Sequence, residues 1–295
     1  MDFTEEYVDY DWSESPPPLE TRDSYYSRAR SELRSLLSQS DDEQDFQHLL
    51  ERYPILVPGV NRESHSPIHR ALFSQPYLPG LTSRVPDFMW IVTNSATVTA
   101  VLVEIERPGK KMFNQDGGQS AAFTQALGQL SDWRNWSHEP TNVDQFRTVY
   151  RLDGNRTTRR NLRFSYILVY GRRAEFGKDS VLADRRSAGQ RSRNADEVWM
   201  SWDRLSPQEY GEGCLTVKVG RSTGEFKCIY VPDRVMLGPS EAADFVKISG
   251  KQDALARNAH LSEARRRFLG ERFSYWDRWA HGRTRGHMSV HPHRE

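Results

Sequence analysis

The stretch TAVLVEIERP, residues 99–108, decides how the rest of the chain is interpreted. Its apolar first half predicts a buried β-strand, and side chains two apart on a strand point to the same face. Glu104 and Glu106 therefore share one face at the end of this strand. Two carboxylates so placed repel each other unless a cation offsets their charge. Because carboxylate oxygens suit Mg²⁺ or Mn²⁺, the stretch indicates a divalent-metal site.

A third carboxylate precedes this strand. Asp87 opens an apolar segment that runs to residue 93, and a turn at 94–98 follows it. An antiparallel pairing about that turn brings Asp87 level with Glu104 and Glu106. A metal held by such a cluster polarises a phosphoryl oxygen and generates hydroxide from water. The alternative is an ordinary exposed strand face with alternating Glu side chains.

The remaining pattern predicts an α/β domain with a mixed central sheet flanked by helices, with helical additions at both ends. Helical spacing is found at 24–37, 43–54, 119–136, 182–193 and 252–279, and strand patterns at 164–170, 197–202, 215–219 and 225–231. Ser40 and Glu43 have the spacing of a capping box, and the basic stretch 156–163 is typical of a surface loop. The helix at 252–279 is either an assembly surface or a cover for the core.

Charge is distributed unevenly along the chain. The formal net charge is +1, yet the first 45 residues sum to −9 and the remainder to +10. This asymmetry favours an acidic arm attached to a body that faces phosphates, although a solvated mixed-charge surface explains it equally well. The expected organisation is an acidic arm and helix (1–39), a core (40–205), a β-hairpin extension (206–250) and a C-terminal helix with a flexible His-rich tail (251–295).

Composition excludes several classes of protein. Two cysteines, Cys214 and Cys228, make a disulfide scaffold or a cysteine zinc site implausible. No apolar run approaches the roughly 20 residues that cross a membrane, and the acidic N-terminus lacks a signal-peptide core. We therefore expect a cytoplasmic protein with no membrane partner. The absence of a Gly-rich phosphate loop argues against ATP binding.

Five segments of the sequence resemble the sequence motifs of a known family in their order and spacing. They are EQDFQHLLERYP (43–54), RVPDF (84–88), VLVEIERP (101–108), the helix at 123–133, and YILVYGR (166–172). Over about residues 40–205 the chain resembles the PD-(D/E)XK nuclease superfamily, and more closely the nuclease domain of Shedu antiviral-defence proteins. The resemblance implies a restriction-endonuclease-like core.

The resemblance also implies roles for the three carboxylates. Asp87 would be the first metal ligand and Glu104 the second. Glu106 stands where the superfamily usually has Lys, so it is either a general base or a third ligand. The missing positive charge is expected from Arg107, Lys110 or Lys111, which follow directly. Lys110 and Lys111 are also candidates for contacts to DNA.

Further site residues are implied around this centre. Gln129 and Trp133 resemble a variant of the family's Q-x-x-x-Y element, in which Gln129 positions water or phosphate. These two residues are otherwise an ordinary helix surface and a packed Trp. Glu43 contributes to the site in some relatives, although its capping role also explains it. Arg172 and Arg173 follow a buried strand and are candidates for DNA contacts.

Taken together, the implied function is a Mg²⁺- or Mn²⁺-dependent DNA endonuclease that assembles as a homo-oligomer and protects bacteria from phage. A rival hypothesis is a catalytically inactive, nuclease-like module that binds DNA or senses a phage component. A third is a scaffold whose acidic arm occupies its own basic groove. In the first case residues 1–20 are predicted to shield the groove until DNA displaces them.

Overall fold

A computed structural model describes residues 17–60, 66–80, 85–153, 157, 159–177, 180–235 and 246–282. Most of the predicted acidic arm and all of the His-rich tail from residue 283 onward lie outside these ranges. The predicted arm and its shielding role are therefore not addressed by the structure, whereas the predicted carboxylate site lies wholly within it.

The centre of the fold is a mixed sheet with the strand order β5-β4-β3-β2-β1-β6-β7-β8 among the described residues. Its strands are β1 Ser66–Ser74, β2 Phe88–Thr93, β3 Thr97–Ile105, β4 Asn161–Val169, β5 Glu197–Met200, β6 Leu215–Val219, β7 Phe226–Tyr230 and β8 Ile248–Ser249. β1, β2 and β3 pair antiparallel, and β4 and β5 extend the sheet in parallel from β3. β6 runs parallel to β1 and forms the predicted hairpin with β7. The mixed central sheet is confirmed.

β3 is buried along almost its whole length. Every residue of it after Thr97 is buried, because helices cover both faces. Ala100 and Leu102 pack into one core, and Val101 and Val103 pack into the other. An apolar strand with strands on both sides and helices on both faces explains the near-continuous run of Val, Leu and Ile.

Helices form the outer two layers. They are α1 Arg22–Gln39, α2 Glu43–Arg52, α3 Ala121–Ser137, α4 Pro140–Val149, α5 Ser180–Ser192, α6 Lys251–Arg257 and α7 Glu263–Gly282. α1 and α2 cover one face of the sheet, and α3, α4, α6 and α7 contribute to the core on the other. In the described ranges no helix combines the length and apolarity needed to cross a bilayer.

Two sequence predictions of local structure are wrong. The tract 252–279 is two helices rather than one, because buried Asn258 ends α6 and donates through Nδ2 to the Val231 carbonyl at 2.9 Å. The basic stretch 156–163 is not a loop to its end, since β4 already begins at Asn161. Phe273 of α7 is buried, so this helix covers the core on that side.

Candidate metal centre

The antiparallel pairing of β2 and β3 brings the carboxylates together. Phe88 lies opposite Val103, so Asp87 is level with Glu104. The backbone N–H of Ile105 donates to Oδ2 of Asp87 at 2.8 Å. The hairpin predicted from the spacing is confirmed, and it fixes Asp87 by a hydrogen bond from the strand that carries Glu104.

Glu104, which is buried, and Asp87, which is half-buried, form a pair of like charges that we call the acidic pair. Glu104 is 6% exposed, and the two carboxyl groups are close enough for each to shift the pKa of the other. Burial raises the pKa of Glu104 well above its usual range, and the charges of Asp87, Glu106 and Glu43 raise it further. Burial likewise raises the pKa of Asp87, against the lowering effect of the Ile105 N–H. The acidic pair therefore favours holding a proton, or a cation in its place.

Glu106 follows the acidic pair and has a cation beside it. It is 7% exposed, and the ammonium of Lys110 donates to its Oε2. Its carbonyl accepts a hydrogen bond from the Trp202 indole N–H at 2.7 Å. The turn before Lys110 is held by Gly109, whose N–H donates to Asp41 and where a Cβ would lie 2.6 Å from that carboxylate. A positive charge is thus supplied four residues after Glu106.

Glu43 faces the same cluster from the start of α2. The N-cap of α2 is Asp42, which accepts the N–H of Gln44 at 3.0 Å. The predicted capping box is wrong, because Ser40 ends α1 instead. Burial raises the pKa of Glu43, and the charge of Glu106 raises it further. Without a capping role, Glu43 is a carboxylate directed at the acidic pair's surroundings.

The donor set was compared with the needs of a divalent ion. Oε2 of Glu104 is buried and has no hydrogen-bond partner among the described residues. Within those residues no three His, Cys, Asp or Glu side chains are arranged to hold an ion by themselves. Mg²⁺, however, is usually held by one or two carboxylates together with waters and substrate phosphates. The acidic pair fits that mode of binding.

The comparison with known families agrees with the segments quoted above. A family model described as Shedu protein SduA, C-terminal, matches residues 40–206, more than half of the 295-residue chain. The chain belongs to this family. The matched range contains the acidic pair, Glu106 and Lys110. No curated protein sequence matches the chain. Membership of the Shedu family suggests a part in antiviral defence.

Gln129 lies on α3 of the Shedu domain. Trp133 is fully buried in the core, and Gln129 is half-buried. The hydrogen bonds that the structure gives Asp87 and Glu104 do not include Gln129. The predicted role of Gln129 in positioning water or phosphate stays a prediction.

The predicted DNA-contacting residues lie around a groove beside Lys110. This groove has a volume of about 680 Å³ and is lined in part by Lys110, Lys111 and Arg172. Arg172 is held in place by Asp203, which accepts from its Nη2 at 2.8 Å. Lys111 and Arg173 have exposed side chains. The four basic residues are brought to the same end of the sheet as the carboxylates.

Gln47 is a polar residue of the site region that the sequence reasoning overlooked. It is 8% exposed, and its Nε2 donates to the Ser74 hydroxyl at 3.1 Å. Ser74 pairs with Phe88, the neighbour of Asp87. Oε1 of Gln47 has no hydrogen-bond partner in the described part of the chain. The signal was available, because Gln47 is four residues after Glu43 and so shares its helix face.

Proposed function

We propose that this Shedu-family chain is a metal-dependent DNA endonuclease with a PD-(D/E)XK core, which hydrolyses phosphodiester bonds in anti-phage defence. The observation that carries the proposal is the acidic pair, two neighbouring carboxylates of which Glu104 is buried and its Oε2 has no partner among the described residues. Buried charges are normally paired or bound to metal. Strongly perturbed carboxylates of this kind are typical of functional sites.

The acidic pair is the proposed holder of Mg²⁺ or Mn²⁺. When bound, such an ion supplies Lewis acidity toward a phosphoryl oxygen and lowers the pKa of water. Asp87 is suited to this task because the Ile105 N–H fixes its orientation. Glu104 offers the oxygen that lacks a partner in the described structure.

Glu106 and Lys110 divide between them the work that one Lys does in most of the superfamily. Glu106 takes a proton from the attacking water, whose oxygen bonds to phosphorus as the bond to the leaving oxygen breaks. The leaving oxygen then takes a proton from solvent. Lys110, whose ammonium contacts Glu106, offsets the negative charge that grows on the phosphoryl oxygens. The Glu at 106 is therefore compatible with cleavage.

A cleavage assay tests this function. Plasmid and linear DNA are incubated with wild type, Asp87→Ala and Glu104→Ala, each with Mg²⁺, Mn²⁺ or EDTA. We expect cutting by wild type with either metal, none in EDTA, and none by the two variants. Asp144→Ala, which removes an exposed carboxylate of α4, is the control and should cut like wild type. Undiminished cutting by both site variants would overturn the assignment.

A second candidate function is a nuclease-like module that binds DNA or a phage component without hydrolysis. It is favoured by the Glu at 106 in place of the usual Lys, and by the lack of a third converging metal ligand among the described residues. In the assay above, DNA binding with no cutting under any metal would support this alternative. We further propose, from family membership, that the chain acts as a homo-oligomer in the cytoplasm.

A further inference from the structure

A cationic groove lies between α1 and the segments that follow β4 and β5. It has a volume of about 410 Å³ and is lined by Arg30 and Arg34 of α1, by Arg172, and by Trp202. We call it the α1 groove. Trp202 is also the residue whose indole N–H donates to the Glu106 carbonyl at 2.7 Å. One wall of the α1 groove is therefore in direct contact with the backbone of the carboxylate site.

Among the described residues, most of the positive charge of this groove has no acidic partner. Arg30 and Arg34 are four residues apart and share one face of α1. Both are exposed, and within the described ranges neither forms a salt bridge. The one acidic residue of the groove lining is Asp203, and it is paired with Arg172. The two α1 arginines are thus exposed and without an ion-pair partner in the part of the chain that the structure describes.

The shape of the groove is set by Arg172. Its Nε and Nη2 donate to Asp203 at 3.0 and 2.8 Å, and its Nη1 donates to the Leu37 carbonyl at 3.0 Å. Leu37 belongs to the last turn of α1, whereas Arg172 follows β4. Arg172 therefore ties α1 to the sheet and holds Arg30 and Arg34 at a fixed position relative to the site.

Positive charge continues on the other side of Arg172. The same residue lines the groove of about 680 Å³ that contains Lys110. Burial lowers the pKa of Arg186, and the charges of Arg204 and Arg173 lower it further against the raising effect of Glu175. The two grooves therefore share Arg172, and basic residues line them from Arg30 of α1 to Arg185 of α5.

We propose that the α1 groove binds the phosphate backbone of the DNA strand and leads it to the acidic pair. The choice of DNA rests on the proposed function. Arginine guanidinium groups bind phosphate oxygens with two parallel hydrogen bonds, and each such contact releases counterions from DNA. α1 lies outside residues 40–206 that match the Shedu family. The groove thus adds to the family domain a substrate-binding surface made by the preceding helix.

The test is DNA binding measured without cleavage. Fluorescence anisotropy of a short labelled duplex in EDTA gives the affinity of wild type and of the double variant Arg30→Ala/Arg34→Ala, from about 50 to about 200 mM salt. We expect the double variant to bind about 10-fold more weakly than wild type. The slope of log affinity against log salt concentration should fall in magnitude by about 2, near 0.9 for each lost phosphate contact. Arg30→Lys/Arg34→Lys should keep the salt dependence but lose part of the affinity, since Lys cannot make the paired hydrogen bonds.

The control removes the same charge from the opposite end of the sheet. Arg159 and Arg163 are exposed, and Arg163 pairs with Thr99 at the end of β3 that is far from Glu104. Arg159→Ala/Arg163→Ala should bind within about twofold of wild type. Equal weakening in both double variants, or unchanged or tighter binding in the α1 variant, would overturn the proposal. Tighter binding would identify another occupant, such as the acidic N-terminal segment.

The two proposals fail separately. If wild type binds DNA through α1 but never cuts it, the proposed nuclease activity is wrong and the proposed role of the α1 groove stands. If wild type cuts DNA and Arg30→Ala/Arg34→Ala binds and cuts as well as wild type, the proposed role of the α1 groove is wrong and the nuclease activity stands.

Discussion

Two carboxylates in this protein are equally buried and have opposite surroundings. Asp233 and Glu104 are each 6% exposed. Asp233 contacts the guanidinium of Arg28 and accepts from Asn258 Nδ2 at 2.6 Å. Glu104 has Asp87 for a neighbour, and its Oε2 has no partner within the described residues. The contacts of Asp233 join three parts of the chain. Glu104 and Asp87, in contrast, repel each other when both are ionised.

The difference separates a structural acid from a functional one. A buried charge with partners holds elements together, and here the elements are α1, the segment after β7, and the end of α6. A buried pair of like charges weakens the folded state unless something else binds there. Proteins tolerate such local conflicts mainly at functional sites. Equal burial with opposite pairing is therefore the reason to place metal chemistry at Glu104 and not at Asp233.

The largest expected effect on stability comes from breaking the paired acid. Asp233→Ala removes the buried carboxylate that Arg28 and Asn258 share, so the free energy of unfolding should fall by about 3 kcal/mol. Urea unfolding followed by circular dichroism measures this change. Asp253→Ala, which removes an exposed carboxylate of α6, should change the free energy of unfolding by less than about 0.5 kcal/mol. Equal effects of the two substitutions would contradict the structural role of Asp233.

The next largest effect concerns Lys110, the cation that contacts Glu106 beside the acidic pair. Lys110→Ala should lower the rate of metal-dependent DNA cleavage by about 100-fold, because a charge next to the reacting phosphate is lost. Lys110→Arg should recover part of that rate. Lys111 is a predicted DNA contact and not the partner that the structure gives Glu106, so at saturating DNA Lys111→Ala should cut within about threefold of wild type. A larger loss of cleavage rate in Lys111→Ala than in Lys110→Ala would show that Lys110 is not the cation that acts at the reacting phosphate.

The smallest expected effect is a gain in stability from removing the repulsion. The raised pKa of Glu104 means that the folded state keeps a proton that the unfolded chain releases above about pH 4.3. The stability of metal-free wild type therefore falls as pH rises toward the raised pKa. Glu104→Gln avoids this loss, so its Tm should exceed that of wild type by about 3 °C near pH 8.

Below the ordinary carboxyl pKa both states of wild type are protonated, so the advantage of Glu104→Gln should shrink toward pH 4. Differential scanning calorimetry in EDTA at several pH values gives the comparison. A lower Tm for Glu104→Gln at every pH would show that Glu104 stabilises the fold, which is the opposite of what its surroundings indicate.

The part of the site made from local sequence could be predicted. The β2–β3 hairpin depends on alternation and a short turn, and both are visible in the sequence. β1, in contrast, was not predicted, because its alternation is interrupted where His69 and Arg70 adopt positive φ of 60° and 47° and its register with β2 shifts. A bulge of this kind shifts side chains between faces and removes the period-2 signal.

Residues contributed from distant segments were harder to predict. Glu43 was explained by a capping box, yet the true cap is Asp42, and only the tertiary packing of α2 against the sheet end directs Glu43 to the cluster. Arg172 resembled a DNA contact, whereas the structure also gives it a partner in Asp203 and a tie to α1. Such roles depend on contacts between residues far apart in sequence, which periodicity does not report.

The most direct measurement is isothermal titration calorimetry of Mn²⁺ into metal-free wild type and into Glu104→Gln. Wild type should bind about one ion per chain and release protons as the acidic pair loses them, which is seen as a dependence of the heat on the buffer. Glu104→Gln should bind at least about 10-fold more weakly, because a metal-ligand oxygen is replaced. Equal affinity in the two proteins, or no binding by wild type, would contradict a metal centre at the acidic pair.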